Sequence, residues 1–172
     1  MIKMILASTI SGLIGLKDNT LPWYIPKDLK FFSEQTKNSI LIFGNNTFQN
    51  LPEKMFINKK NRKFYVLSIE KIRQNTNFID KEFNSISELE LFLTENNNKN
   101  KNIYLCGGKF IYETFFNHAS ELYLTTIKNN LDKNFKDEEK IILDIKKIKS
   151  FFKNKEKIIY EDFQIKIEKY SK

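Results

Sequence analysis

Five short apolar segments alternate with helical patterns along this chain, and this alternation constrains the fold more than any other feature. The segments are rich in β-branched and aromatic residues, as strands are; they cover residues 2–7, 40–43, 64–68, 103–106 and 121–127. Helical patterns cover residues 27–36, 47–50, 87–95 and 110–116. Nearly continuous apolar strands between helices are typical of a sheet covered on both faces. The sequence therefore predicts an α/β fold with a central, mostly parallel sheet and about four flanking helices.

The end of the chain predicts an antiparallel edge to this sheet. Residues 157–161 and 163–170 alternate between polar and apolar side chains, with Ile165 and Ile167 on one side. Residues 136–157 mix charges with Ile and Phe and fit either a helix or an irregular excursion, whereas the polar run at 96–102 predicts an exposed loop. With 172 residues, 41% of them hydrophobic, we expect a single domain over residues 1–172.

Composition excludes several classes of protein. The net charge is +8, but the 29 basic residues are interleaved with 21 acidic ones, so a diffuse field that attracts small anions is expected rather than a nucleic-acid surface. Cys106 and His118 are the only residues of their types, which argues against a disulfide and a metal site. The first apolar run is too short for a membrane span. We expect a cytoplasmic monomer without a metal, a membrane or a nucleic acid as partner.

Residues 21–36 combine the only Trp of the chain with a carboxylate in an amphipathic helix. Pro26 suits the first helical turn, and Asp28, Phe32 and Thr36 follow at spacings that place them on one face. A carboxylate beside apolar groups is costly unless a hydrogen-bonding partner compensates it, which suggests a bound ligand. The alternative is that Asp28 simply favours the positive end of the helix dipole.

This segment resembles the substrate-binding signature of the dihydrofolate reductase family. The matching residues are Ile14, Gly15, Leu21, Pro22, Trp23, Asp28, Phe32 and Thr36. Five residues, 16–20, separate Gly15 from Leu21, one more than is usual in that family. The loop over the site is therefore expected to differ in length and mobility.

Paired glycines after the fourth predicted strand form a second motif. Gly107 and Gly108 precede a helix with Ile111 and Tyr112, which is similar to the GGxxIY pattern of the same family. Glycines at a helix start let a backbone approach a pyrophosphate, although a tight turn alone would explain a GG pair. The resemblance implies an NADPH site formed by Ala7, Ile14, Gly15, Gly44, Asn45, Thr47, Leu67, Ser68, Gly107, Gly108, Lys109, Phe110 and Ile111.

The same resemblance implies a folate site. Its catalytic residues would be Asp28, Trp23 and Tyr112, and its substrate-binding residues Ile5, Leu29, Phe32, Leu51, Arg62, Cys106 and Thr125. The hydroxyl of Thr125 would hydrogen-bond to the acid as well as to the pterin. A guanidinium binds a carboxylate in a bidentate manner, so Arg62 suits the folate glutamate; the alternative is an ordinary surface cation.

The implied activity is the NADPH-dependent reduction of 7,8-dihydrofolate to tetrahydrofolate for one-carbon metabolism. Alternatives are a catalytically weak folate- or nucleotide-binding module and a related pterin or pyrimidine reductase. The sequence departs from the family where Asn45 and Asn46 stand in place of an arginine that binds the 2′-phosphate of NADPH, a role that Lys109, Lys71 or Arg73 could take. Lys136 also replaces a proline in the loop that steadies the active-site lid.

Overall fold

The computed structural model describes residues 1–57, 59–70, 75–97 and 99–172, which form ten strands and six α-helices. The strands are β1 Ile2–Thr9, β2 Leu13–Leu16, β3 Ile40–Gly44, β4 Lys63–Leu67, β5 Lys81–Phe83, β6 Ile103–Leu105, β7 Glu121–Ile127, β8 Lys140–Ile142, β9 Asn154–Glu161 and β10 Ile165–Ser171. The helices are α1 Pro26–Gln35, α2 Asn45–Gln49, α3 Glu53–Ile57, α4 Ile86–Asn96, α5 Lys109–Phe115 and α6 Ile145–Phe151.

Eight strands form one mixed sheet in the order β5-β4-β3-β6-β1-β7-β10-β9. The pairs from β5 to β7 are parallel, while β10 runs antiparallel to both β7 and β9. The predicted parallel sheet with an antiparallel C-terminal edge is therefore confirmed. Ile165 and Ile167 are buried side by side in an apolar cluster, as their alternation predicted.

The apolar side chains of the strands cover both faces of the sheet, because successive residues of a strand point to opposite sides. On β1, Met4 and Leu6 belong to a core cluster that we call the first cluster, and Ile5 belongs to another that we call the second cluster. Residues of α4, α5 and α6 pack in the first cluster, whereas residues of α1, α2 and α3 pack in the second. Continuous apolar strands are thus explained by burial on two sides.

The structure contains more elements than the sequence predicted. Two helices beyond the four, α3 and α6, bring the described helices to six, and α6 corresponds to the helical alternative for residues 136–157; β2, β5 and β8 were not predicted. Each has only three to seven residues, too few for a clear hydrophobic period. Of the loop predicted at 96–102, residues 97 and 99–102 are exposed and contain neither helix nor strand, whereas Asn96 is the buried last residue of α4; residue 98 lies outside the described residues.

The segment at 136–157, which leads into the C-terminal hairpin of β9 and β10, is integrated into the fold. β8 pairs with β2 in a small antiparallel sheet, and Leu143, Ile148 and Phe152 are buried in the first core cluster. This explains the mixture of charged and apolar residues at 136–157: α6 buries one side, and β8 supports the strand that contains Gly15.

The carboxyl ends of the parallel strands meet at one edge of the sheet. Gly44 is the last residue of β3, Ser68 directly follows β4, and Gly107 lies two residues after β6. Ligands of open α/β sheets bind at this edge, and most of the residues implicated by the sequence lie there.

Candidate active site

A half-buried carboxyl group, that of Asp28, lies in the first turn of α1. Burial raises its pKa above the ordinary value, while the hydroxyl of Thr125, which hydrogen-bonds to the carboxyl, opposes this rise. Thr125 is itself buried, in the middle of β7. The pairing between an acid on a helix and a hydroxyl on the sheet, which the family resemblance implied, is present in the structure.

Contacts in its C-terminal half fix α1 against the sheet. At its C-terminal end, Gln35 donates a hydrogen bond of 3.0 Å to the hydroxyl of Tyr104. Thr36, the C-cap of α1, is fully buried, and its hydroxyl donates to the carbonyl of Phe32 at 2.7 Å. Phe31 packs against Tyr123, with ring centroids 6.2 Å apart. These contacts hold the helix so that Asp28 faces β7.

Apolar residues form the wall beside this carboxyl group. Ile5, Cys106, Phe32 and Leu51 pack in one cluster, which brings together four of the residues predicted to bind the substrate. Ile5 on β1 and Cys106 directly after β6 belong to neighbouring strands, since β1 and β6 are adjacent in the sheet. Leu29, the residue after Asp28 on α1, is 38% exposed.

Tyr112 connects this wall to α5. Its hydroxyl donates a hydrogen bond of 2.9 Å to the carbonyl of Ile5. Burial, reinforced by Cys106 and Asp28, raises the pKa of Tyr112 well above the ordinary tyrosine value, so the hydroxyl keeps its proton. Trp23 and Ala7 lie together in the neighbouring apolar cluster.

Arg62 lies on the loop before β4 and is 5% exposed, so the alternative of an ordinary surface cation is wrong. Its Nε donates to the carbonyl of Lys59 at 2.9 Å, which fixes the base of the guanidinium. Burial lowers its pKa. A guanidinium held in this way is suited to bind a carboxylate at two points.

Three glycines and a threonine converge where β3 and β6 end. The amide of Gly44 donates to the carbonyl of Gly107 at 2.7 Å. A Cβ on Gly107 would lie 2.9 Å from the Tyr112 ring, and one on Gly108 only 2.7 Å from the hydroxyl of Thr47. Only glycine therefore permits this close approach, and Ile111 packs against Gly44 from α5.

This cradle fits a pyrophosphate group. Gly108 is the N-cap of α5 and Gly44 the N-cap of α2, and neither helix start has a side-chain cap. Amides at uncapped helix starts, with a hydroxyl beside them, are the donors that phosphate oxygens require. The donor set thus matches the phosphate portion of a dinucleotide such as NADPH.

The other predicted cofactor residues surround the cradle at varying depth. Lys109 is exposed and pairs with Glu113 at 3.6 Å, and Phe110 is 48% exposed. Asn45 accepts a hydrogen bond of 2.6 Å from Gln49. Leu67 and Ser68 are buried at the end of β4, where the Ser68 hydroxyl donates to the carbonyl of Glu70. Lys71 and Arg73 lie outside the described residues.

The segment after β1 supplies the remaining border of the site. Ile14 and Gly15 lie on β2, and residues 16–20 form a tight turn in which Leu16 donates to Thr20 at 2.9 Å. Asp18 accepts hydrogen bonds from the amide and hydroxyl of Thr20 at 2.9 and 2.7 Å. The additional residue of this loop is thus absorbed in a hydrogen-bonded turn.

Asp132 anchors the same segment from the loop after β7. Its Oδ1 accepts hydrogen bonds from the hydroxyls of Ser11 and, at 3.4 Å, Thr9. Those hydroxyls are 2.9 Å apart, and Thr9 also accepts from the amide of Leu13. Lys136, which replaces the family's proline, begins a short turn closed by Glu139. The loop after β7 therefore contacts the segment after β1 despite that replacement.

Removal of this anchor should slow turnover. In Asp132→Ala the hydroxyls of Thr9 and Ser11 lose their charged acceptor, and such a hydrogen bond contributes about 1.5–3 kcal/mol. We expect about a tenfold lower kcat, because the loop orders the site, together with a Tm that is lower by several degrees. Asp132→Asn, which keeps an acceptor oxygen, should retain more activity than the alanine variant. Equal kcat in wild type and Asp132→Ala would contradict the role of the anchor.

Some contacts near the site have no signal in the sequence. Lys27 and Tyr160 both contact Asp162, more than a hundred residues away from α1 along the chain. The described residues contain no group of three or more metal-binding side chains, and none of the described helices is both long and apolar enough to cross a membrane.

Comparisons with known proteins agree with this geometry. A family model described as dihydrofolate reductase matches residues 1–163. Dihydrofolate reductase from Mycoplasma genitalium is 33% identical over 168 residues, which cover 96% of this chain and 95% of that protein. Dihydrofolate reductase from Bacillus subtilis is 31% identical over 135 residues, or 77% of this chain and 72% of that protein.

A solved structure shares the fold. Dihydrofolate reductase from Enterococcus faecalis, complexed with NADP(H) and RAB-propyl, superposes with a TM-score of 0.70 at 24% identity. The match covers 99% of this chain and 95% of that one, so the two folds correspond over nearly their whole length.

Proposed function

The chain belongs to the dihydrofolate reductase family, and we propose that it reduces 7,8-dihydrofolate to tetrahydrofolate with NADPH. The observation that carries this proposal is the half-buried Asp28 carboxyl group against Thr125, beside an apolar wall and next to a glycine cradle. One side of the site suits a pterin ring and the other a pyrophosphate. NADPH, when bound, supplies the hydride that C6 of dihydrofolate accepts.

Asp28 would bind the N3 and 2-amino edge of the pterin and favour its protonation at N5. A carboxyl group in an apolar site makes strong hydrogen bonds, because no water competes for it. Trp23 would order a water molecule near the pterin oxygen, and Phe32, Leu29 and Leu51 would pack on the ligand. The carbonyls of Ile5 and Cys106 would complete the binding of the pterin edge.

Arg62 would bind the α-carboxylate of the folate glutamate. Its burial and its hydrogen bond to Lys59 support this role, since both limit the positions that the guanidinium can adopt. On the cofactor side, Gly44, Thr47, Gly107 and Gly108 would bind the phosphates. The surrounding residues Ala7, Ile14, Gly15, Asn45, Leu67, Ser68, Lys109, Phe110 and Ile111 would contact the rest of the cofactor, while Tyr112 supports Ile5 next to the nicotinamide.

The proposal is tested by following NADPH absorbance with dihydrofolate as the substrate. Oxidation of NADPH that depends on dihydrofolate would support it. Tight binding of dihydrofolate without turnover would instead indicate a folate-binding module, and reduction of another pterin or of a pyrimidine would indicate a related reductase. Either result would overturn the proposal.

The cofactor preference can be altered at Asn45. An arginine there would add a charged fork near the 2′-phosphate of NADPH, and charge-assisted hydrogen bonds are about twice as strong as neutral ones. We expect Asn45→Arg to lower KM for NADPH by about tenfold and to leave KM for NADH unchanged. Asn50→Arg, which adds the same charge at the far end of α2, is the control. Equal effects on both cofactors would contradict a contact with the 2′-phosphate.

The domain organisation, the location in the cell, the oligomeric state and the partners expected from the sequence remain part of the proposal. The eight-stranded sheet takes strands from both ends of the chain, which supports a single domain over residues 1–172. A cytoplasmic monomer that binds small molecules and no nucleic acid is proposed from the interleaved charges and the absence of a basic block.

A further inference from the structure

A group of three side chains connects the C-terminal hairpin to the first turn of α1. The Lys27 ammonium lies 2.7 Å from Oδ2 of Asp162 and donates to the Tyr160 hydroxyl. That hydroxyl is also 2.7 Å from the same Asp162 oxygen. We name Lys27, Tyr160 and Asp162 the hairpin clamp.

Asp162 is fixed on the hairpin side of the clamp. Its other oxygen, Oδ1, accepts the amides of Gln164 and Ile165 at 2.8 and 2.9 Å, which closes the turn between β9 and β10. The Asp162 side chain is only 14% exposed. An acceptor held by two backbone amides provides a rigid anchor for a flexible lysine.

The helix side needs such an anchor. α1 begins after Ile25, which makes no side-chain cap, so its first turn is held by main-chain hydrogen bonding alone, in which the amide of Leu29 donates to the carbonyl of Ile25 at 3.2 Å. Ile25 is buried with Ile127, Ile165 and Ile167, but an apolar contact fixes orientation less strictly than a hydrogen-bonded ion pair. Lys27 directly precedes Asp28, so the clamp acts on the turn that contains the carboxyl group.

The sheet register places both contacts of this turn in one row. Thr125 on β7 pairs with Ile167 on β10, and Ile167 pairs with Tyr160 on β9. Asp28 hydrogen-bonds to Thr125, and Lys27 to Tyr160. Two consecutive residues of α1 therefore contact the two ends of the same three-strand row.

We propose that Lys27 and Asp162 are positioning residues for the reaction, which hold the first turn of α1 so that Asp28 stays against Thr125. This inference rests on the proposed function, because it assigns a role in the turnover of dihydrofolate to residues that do not touch the substrate. The C-terminal hairpin thereby becomes part of the active-site framework rather than only an edge of the sheet.

The charged and titratable groups around this arrangement are few among the described residues. Lys128 donates to the main-chain carbonyl of Asp162 at 2.5 Å and pairs with Glu161 at 2.8 Å. The hydrogen bonds that the Lys27 ammonium donates to Asp162 and Tyr160 raise the pKa of Lys27 to about 12, and the bond to Asp162 lowers the pKa of that carboxyl group. Both partners of the ion pair are thus charged at neutral pH, and Tyr112 is the titratable group that interacts with Asp28.

The test compares Lys27→Met and Asp162→Asn with Glu161→Gln as the control. Asp162→Asn removes the charge but keeps an oxygen for the turn amides, and Glu161→Gln makes the same change one residue away, outside the clamp. We expect kcat/KM for dihydrofolate to fall about ten- to a hundredfold in both clamp variants, as for a misplaced catalytic group. KM for NADPH should not change. Lys27→Arg should restore most of the activity.

The pH dependence separates positioning from a direct charge effect. A looser α1 hydrates Asp28 and moves its pKa down in both clamp variants. A purely electrostatic effect would move it up when the Lys27 cation is lost and down when the Asp162 anion is lost. Shifts of equal sign support the proposal, and shifts of opposite sign overturn it.

The Asp28 carboxyl can also be titrated by NMR in the protein without ligands. That measurement does not depend on turnover, so it tests the clamp even if the wild type does not reduce dihydrofolate. Unchanged Asp28 titration together with unchanged kcat/KM in both clamp variants would overturn the inference and leave the proposed function intact.

Discussion

Replacement of Asp28 by asparagine should leave the protein folded and remove most of its turnover of dihydrofolate near neutral pH. An amide cannot carry the negative charge that favours a protonated pterin. Proton positioning of this kind is typically worth about 10²- to 10⁴-fold in rate, and we expect a loss of kcat in that range. KM for NADPH should stay the same, because the glycine cradle lies on the other side of the site.

The stability of this variant should move in the opposite direction to its activity. Burial raises the pKa of Asp28 in the folded state, so the folded protein binds the proton more tightly than the unfolded chain does. The stability contributed by the proton is therefore lost as the pH rises from the unfolded pKa through the folded one. At neutral pH the ionised carboxylate costs stability, and Asp28→Asn should have an equal or higher Tm.

Glu34→Gln is the matched control, since it makes the same kind of change on the exposed side of α1. Lys37 and Lys60 lower the pKa of Glu34 to about 2 by hydrogen bonding, so its ionised form favours the folded state above that pH. This variant should keep its activity, with a Tm that is unchanged or slightly lower. Full activity of Asp28→Asn at neutral pH would remove Asp28 from the mechanism.

The second large effect is expected from Gly107→Ala. Gly107 has φ +103°, a conformation that residues with a side chain rarely adopt, and its new Cβ would lie 2.9 Å from the Tyr112 ring. Relief of that overlap would move Tyr112 away from the carbonyl of Ile5. The strained backbone alone costs about 1–3 kcal/mol, so we expect a Tm lower by several degrees.

Cofactor affinity should fall together with stability. A shift of Gly107 also disturbs its hydrogen bond with Gly44, and this contact joins the two halves of the cradle. Gly44→Ala is the control for stability, because its Cβ would meet its nearest neighbour at 3.5 Å, an ordinary contact distance. Thermal unfolding and NADPH titration measure both effects. Wild-type Tm and affinity in Gly107→Ala would refute the close packing at this glycine.

Local patterns in the sequence were sufficient for much of the fold. The β-branched and aromatic content of the central strands, the alternation of β10 and the Pro26 helix start depend on neighbouring residues and were confirmed. The short elements β2, β8 and α6 were not specified in this way. They are stabilised by pairing and burial against distant parts of the chain, as in the register of Leu13 with Ile142.

In the candidate site, too, some features follow from the local sequence and others depend on contacts between distant residues. The sequence by itself determined the α/β class, the family resemblance and the chemical groups of the site, because residue type and spacing encode them. Only the tertiary structure decided that Asp132 holds Ser11 and that Lys27 meets Asp162. These contacts join residues about a hundred or more positions apart, and the packing of strands and helices, rather than any local pattern, brings them within hydrogen-bonding distance.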